Sequence, residues 1–379
     1  MARVIVRILH PPLAPFAGPL ERLLAAARVA AAERHLAGFR RAGADDVAIL
    51  GEPADDTPFG TRLRRLVAIA VELEAGLVVL GSGSIPLATL ADRRRFVDAA
   101  AGRIGPRTAL ANNRYSADAV AIAGPSELPP IPDLPSDNAL PRWLTERAGW
   151  SVSDLGRSWR LQVDLDSPLD VELVRPARLP VGLAAAVRGR LTELRTVAAD
   201  RRAEIFISGR TSATSLRWLE TRTAARTRAL VEERGLRASS RLALGESPSD
   251  GLALGESPSD GLSPQRPPRS LLGVLLDRDG PGALGILLAG LADGALVDSR
   301  VLLAHRLGPD ERAWPSAEDR FASDLLLPDL VHDPWLRALT ASAATAPIPV
   351  VLGGHSLVGP GIRLAIRRPA SQAKGTGRS

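Results

Sequence analysis

Two aspartates one residue apart, Asp164 and Asp166 in the stretch LQVDLDSPLDVEL over 161–173, form the side-chain pair with the sharpest chemistry in this chain. Read as a short apolar strand, the stretch alternates, so both carboxylates point to one face. Paired carboxylates at a strand end suit a hard divalent cation such as Mg²⁺, which takes carboxylate oxygens together with substrate phosphates. The same residues also allow a plain turn, in which Asp166 caps a helix opened by Pro168 and Asp164 stays in solvent.

A second polar group follows the apolar run 108–111: Asn112, Asn113, Arg114, Ser116 and Asp118. Amides there can read a base edge or a ribose, with Arg114 on a phosphate, or they can simply form a turn, which Asn-Asn tolerates well. Gly81-Ser82-Gly83-Ser84 lets backbone amides approach a ligand closely. It is not a G-x-G-x-x-G fingerprint. Asp137 and Asn138 offer the same choice between ligand contact and helix capping. The only lysine is Lys374, so arginine has to supply every anion-binding cation of the folded part.

The second half has its own candidates. Arg210, in Gly209-Arg210-Thr211-Ser212, sits between a strand and a helix, where an anion site and ordinary capping by Thr211 or Ser212 both fit. Asp298 and Arg300 alternate within an apolar run read as the strand 295–304, and so form a buried pair or face a cleft. Asp319 and Asp324 add acids. His355, after the run VVLGG, is an acid/base or a loop hydrogen-bonding group. There is no G-x-S-x-G elbow and no zinc-binding H-E-x-x-H.

Stepping strand and helix patterns must position these groups. Strands read at 4–9, 47–50, 77–80, 108–111 and 119–123, with helices at 18–42, 61–74 and 93–101, the βαβ rhythm of a doubly wound, mostly parallel α/β sheet. Ligands in such sheets bind beyond the carboxyl ends of the strands. A helical segment at 176–203 then leads to a second α/β unit over 204–368, with strands at 204–208, 226–232, 270–276, 295–304, 348–352 and 362–366 and helices through 223 and at 282–292. Within it LALGESPSDG occurs twice in succession, over 242–251 and 252–261, and reads as a flexible loop spanning 238–268. The polar tail 369–379 reads as disordered.

The opening strand and helix, the run VVLGSGSIPLAT and the closing VDLDSPLDVEL resemble, in that order, the catalytic domain of MobA-like and CofC-like nucleotidyltransferases of the GT-A type, over residues 1–175. The resemblance implies a nucleotide-diphospho-sugar-transferase-like fold and a nucleoside triphosphate held with Mg²⁺ on Asp164 and Asp166, near Ser82, Asn113 and Arg114. It further implies transfer of the nucleotidyl group to a small phosphorylated acceptor. The family's glycine-rich loop is replaced by His10–Pro19, whose prolines lack the N–H groups that wrap phosphate. Its metal-binding aspartate in the G-D-x-P-L turn is replaced by Ser82 or Ser84. A repurposed, non-catalytic nucleotide- or partner-binding domain is therefore one alternative. An enzyme acting through the second domain on a phosphorylated or carboxylated small molecule is the other.

Composition narrows the classes. At 379 residues the chain exceeds the usual size of one core. The absence of cysteine excludes disulfides and thiolate chemistry. A net charge of +6 is mild, and with 3% aromatics there is little base-stacking material, so no nucleic-acid partner is expected. No apolar run reaches membrane-span length, and the first residues read as a strand, not as a signal-peptide core; a cytoplasmic protein is the expectation.

Overall fold

The computed structural model describes residues 2–51, 57–134, 136–232 and 268–366. The tandem repeat and the polar tail lie outside them. Of the described residues, those within 1–16 and 25–165 form one compact unit, and those within 17–24, 166–237 and 266–379 form the other. Among the described residues, no helix is long and apolar enough to cross a membrane.

The first unit holds β1 (Arg3–His10), the part of α1 (Pro19–Ala42) from Ala25 onward, β2 (Asp46–Gly51), α2 (Phe59–Glu72), β3 (Ala75–Gly81), α3 (Leu90–Ala100), β4 (Thr108–Ala111), β5 (Ala119–Ile122), α4 (Leu140–Glu146) and β6 (Ser151–Asp154). Its six strands lie in the order β2-β1-β3-β5-β4-β6. Strand β5 runs antiparallel to both β3 and β4, so the sheet is mixed. The reason is local: only seven residues separate β4 from β5, too few for the crossover a parallel neighbour needs, so the chain turns back. Strand β6, an exposed edge with no apolar run, was not anticipated from sequence.

Both sheet faces are covered, which explains the largely apolar strands; the buried Arg7 of β1 is paired with Asp46 at 2.7 Å. Val4, Val6, Ile8, Val78 and Leu80 pack with Phe39 of α1 and Phe96 of α3. The alternate residues Ile5, Leu77 and Val79 pack with Leu63 and Leu66 of α2 and with Trp143.

The second unit contains α5 (Pro168–Val174), α6 (Val181–Ala198), β7 (Glu204–Gly209), α7 (Ala213–Arg222), β8 (Arg226–Val231), α8 (Leu271–Asp279), α9 (Leu284–Ala289), β9 (Gly294–Asp298), α10 (Ser299–Leu307), α11 (Ala317–Asp324), α12 (Pro334–Thr345), β10 (Val350–Gly353), α13 (His355–Val358) and α14 (Ile362–Ile366). Its four strands are all parallel, in the order β10-β9-β7-β8. Helix α6 buries Ala184, Val187, Leu191, Leu194 and Ala198, the three- and four-residue spacing of one helical face.

Three segments depart from the strand pattern expected of them. Residues 270–276 form the start of α8, because Ser270 accepts from the Gly273 amide and caps a helix. The strand expected at 295–304 stops at Asp298, whose side chain accepts from the Arg300 amide and starts α10. Residues 362–366 are helical, in α14. In each case a short apolar run fits a buried helix turn as well as a strand, so periodicity alone does not separate them.

Two glycines test this packing. A Cβ on Gly76 in β3 would lie 1.9 Å from the Ala100 carbonyl oxygen, whereas one on Gly189 in α6 meets nothing within 4 Å. Gly76→Ala is predicted to lose about 1–3 kcal/mol through overpacking. Gly189→Ala should gain roughly 0.5–1 kcal/mol in a helix interior. Urea unfolding of the two variants reads both signs.

Candidate functional site

Beyond the carboxyl ends of β1 and β3 and the start of the reversed strand β5 lies a cavity of about 260 Å³. Leu9, Phe59, Val79 and Val120 give it apolar walls, and Arg62, Asp118 and Asp137 bring charge to it. A larger cavity, about 460 Å³, opens at the amino end of β3 and is lined by Glu74, Arg107 and Glu127. Volume favours the second, but Arg107 and Glu127 are already paired at 2.7 Å, and ligands of open α/β sheets bind at the carboxyl edge. The smaller cavity is therefore the candidate.

The turn after β3 carries Gly81 on the cavity and then turns away from it. Ser82 is buried, donates its amide to the Leu9 carbonyl at 2.8 Å, and meets His10 Nδ1 at 3.0 Å through its hydroxyl. Burial and the nearby Arg28 charge push the His10 pKa below the ordinary imidazole value. The Gly83 carbonyl accepts from the Leu165 amide at 3.0 Å. The Ser84 carbonyl accepts from Nε2 of the buried His35 at 2.8 Å, and Arg93 Nη2 donates to His35 Nδ1 at 3.2 Å. Ile85, fully buried, has φ of 41°, a left-handed conformation costing a β-branched residue about 1–2 kcal/mol. Such strain persists only where the surroundings over-determine it. Ser82, Gly83 and Ser84 thus hold the turn's shape and do not line the cavity.

The polar group after β4 divides in the same way. Asn112 is wholly buried: its Nδ2 donates to Leu161 O at 3.0 Å and Asp118 Oδ2 at 3.2 Å, and its Oδ1 accepts from the amides of Asp118 and Ala119. Asn113 donates to Gln162 Oε1 at 2.7 Å and accepts the Tyr115 amide at 2.9 Å, a turn that Asn stabilises with its own side chain. Both amides are scaffold. Arg114 is half-buried with no hydrogen bond or ion pair among the described residues, and so remains a cation available to an anion. Asp137 lines the cavity, whereas Asn138 is exposed beside it.

The segment holding Asp164 and Asp166 is not a strand. A 3₁₀ turn, Trp159–Gln162, and an irregular stretch carry it, with Val163 and Leu165 buried. The reason is that Leu165 N bonds the Gly83 carbonyl and Arg28 Nε bonds the Leu165 carbonyl, which leaves no ladder for a neighbouring strand. Asp164 Oδ1 accepts from the Ile85 amide at 3.3 Å. Asp166 is exposed. The cap of α5 is Ser167, not Asp166, in a box with Asp170 whose Oδ2 accepts from Ser167 N and Oγ and from Asp166 N. Among the described residues, no group of three or more histidines and acids is placed to hold a metal ion.

In the second unit the sequence candidates sort into two sets. Asp298, with a fully buried side chain, accepts Arg210 Nε at 2.6 Å and Nη2 at 3.1 Å. Arg300 forks onto the buried Asp324 at 2.5 and 2.7 Å. Asp298 and Arg300 are therefore not paired with each other through their side chains, one of the two outcomes that alternation in one strand allowed. Burial works to raise the Asp324 pKa and Arg300 works against it. His355 donates Nδ1 to the Arg210 carbonyl at 2.9 Å. Burial, then the Arg210 charge, push its pKa below the imidazole value. Asp319 stands apart, spent on the amides of His332 and Asp333 and on His332 Nδ1. Ser212 caps α7, so Arg210 is not needed there.

Sequence reasoning missed Phe59, Arg62 and Asp170. Phe59 and Arg62 open α2 one turn apart, and their signal was an amphipathic helix start facing a strand end. Asp170 was visible as the fourth residue of S-x-x-D, a capping box that hid its burial.

The His35 environment makes a pH prediction. Burial, then the Arg93 charge, lower its pKa from 6.5 to about 3. The unfolded chain therefore takes up a proton that the folded chain refuses. The resulting stability is complete above the unfolded value and is lost as pH falls from there toward the folded value, by about 1.4 kcal/mol per pH unit. In urea unfolding between about pH 6 and pH 4, the parent should lose stability more steeply than His35→Gln by that slope; parallel curves would contradict a buried neutral His35. No protein-family model matches this chain, and no curated protein matches it.

Proposed function

We propose that the first unit binds a nucleoside triphosphate, with the base in the cavity at the carboxyl ends of β1 and β3. The observation that carries this is the cavity itself: apolar walls from Leu9, Phe59, Val79 and Val120, with the acceptor-only carboxylates of Asp118 and Asp137 on its lining. A planar ring with N–H donors on its edge satisfies both features. Arg62 at the cavity and Arg114 after β4 are the cations suited to the phosphates. The resemblance of the first 175 residues to MobA-like and CofC-like nucleotidyltransferases points the same way.

The reaction such a site would carry is nucleotidyl transfer. An acceptor oxygen attacks the α-phosphorus, the bond to the bridging oxygen breaks, and pyrophosphate leaves. Mg²⁺ brought in with the nucleotide would meet the carboxylate of Asp164, offsetting charge on the phosphates. One observation favours a second reading, binding without turnover: the turn that carries a metal-binding aspartate in the resembled family has here a buried Ser82 bonded to His10.

Calorimetric titration with each common nucleoside triphosphate, with and without Mg²⁺, tests the reading. One nucleotide is expected to bind, and Asp137→Asn and Arg62→Gln should each weaken it about tenfold or more, the worth of one charge-assisted hydrogen bond. Asp164→Asn should remove the Mg²⁺ dependence. No binding, or equal binding by the variants, would overturn it. Tight binding with no pyrophosphate released in the presence of phosphorylated acceptors would select the second reading.

A further inference from the structure

The second sheet ends in charge. Three neighbouring parallel strands, β10, β9 and β7, finish at Gly353, Asp298 and Gly209, and the chain continues from them into His355, Arg300 and Arg210. We propose that this carboxyl edge is a second ligand site, which takes a small molecule bearing an oxyanionic group on Arg210 and Arg300, with His355 as a further hydrogen-bonding group.

Three observations carry the proposal. First, the two Arg–Asp forks are buried, with side-chain exposures of 15% and 0% for Arg210–Asp298 and 11% and 0% for Arg300–Asp324. Buried pairs stabilise a fold no better than apolar residues of equal size, so a cluster of them at a strand edge asks for a functional reason. Second, the forks orient the guanidinium groups without exhausting them. Each guanidinium has five N–H donors, and the fork of Arg210 engages only its Nε and Nη2. Third, the bond from His355 Nδ1 to a carbonyl fixes the tautomer of this exposed residue, which leaves Nε2 as an acceptor.

Close backbone approach built this edge. A Cβ on Gly209, at φ +124°, would lie 2.2 Å from Asp298 Cβ, and Gly354 leaves open the space beside Arg300 Nε. Arg210, Asp298 and Asp166 are the charges that act on His355.

Inorganic phosphate, with acetate as the competing probe, tests the site in the full chain. Ring ¹H–¹⁵N spectra of the histidines should show His355 moving on phosphate titration at neutral pH. Arg210→Lys, which preserves the charge pair with Asp298, should weaken phosphate at least tenfold, as should the surface change His355→Gln. Displacement of phosphate by acetate would assign a carboxylate ligand; failure to displace would assign a phosphorylated one. If neither probe moves His355, or if Arg210→Lys and His355→Gln bind as the parent does, the proposal is wrong. Arg62→Gln, in the first unit, should leave phosphate at His355 unaffected.

Discussion

A polar group withdrawn from water must find a partner, and at the carboxyl ends of both sheets this requirement decides which side chains build the edge and which meet a ligand. Asn112 shows the constraint at its strictest. Buried to zero exposure between β4, β5 and the 159–165 segment, it satisfies both ends of its amide within the protein. Its removal would strand the amides of Asp118 and Ala119 and the Leu161 carbonyl together. His35 does the same for the turn after β3 by holding the Ser84 carbonyl. Asp298 does it for the second sheet by neutralising Arg210 and capping α10 at once.

The strand edges also carry groups that meet open space. In the first unit Arg62, Asp118 and Asp137 lie on the lining of an apolar cavity, and Arg114 follows β4. In the second they are the unspent N–H groups of two oriented arginines and His355 Nε2. The two edges differ in kind. The first has apolar walls and so suits a ring. The second carries two oriented guanidinium groups and so suits an anion.

The alternation of long apolar strands with amphipathic helices made the first sheet legible from residues alone, because strands covered on both faces are largely apolar. What sequence could not reveal was the direction of β5, which depends on the length of one connection, or the edge strand β6, which has no apolar pattern. The short runs 270–276 and 362–366 misread as strands because a few apolar residues bounded by polar ones have no period to measure. The site residues divided along the same line. Asp137, Arg114, Arg210 and His355 stood out because polar groups after strands stand out. Asn112, Asn113 and Ser82 stood out for the same reason, yet serve the scaffold, and only their hydrogen bonds distinguish the two. Asp164 and Asp166 were paired by spacing, but the strand that would have aligned them does not form.

The measurement that bears most directly on this account is backbone amide chemical-shift mapping of the isotope-labelled chain with saturating nucleoside triphosphate. Shifts gathered at Gly81, Ala119 and Asp137, around the cavity at the carboxyl ends of β1 and β3, are the predicted result. Shifts gathered instead at Gly76, Gly102 and Gly124, around the larger cavity at the amino end of β3, or no shifts at all, would contradict it.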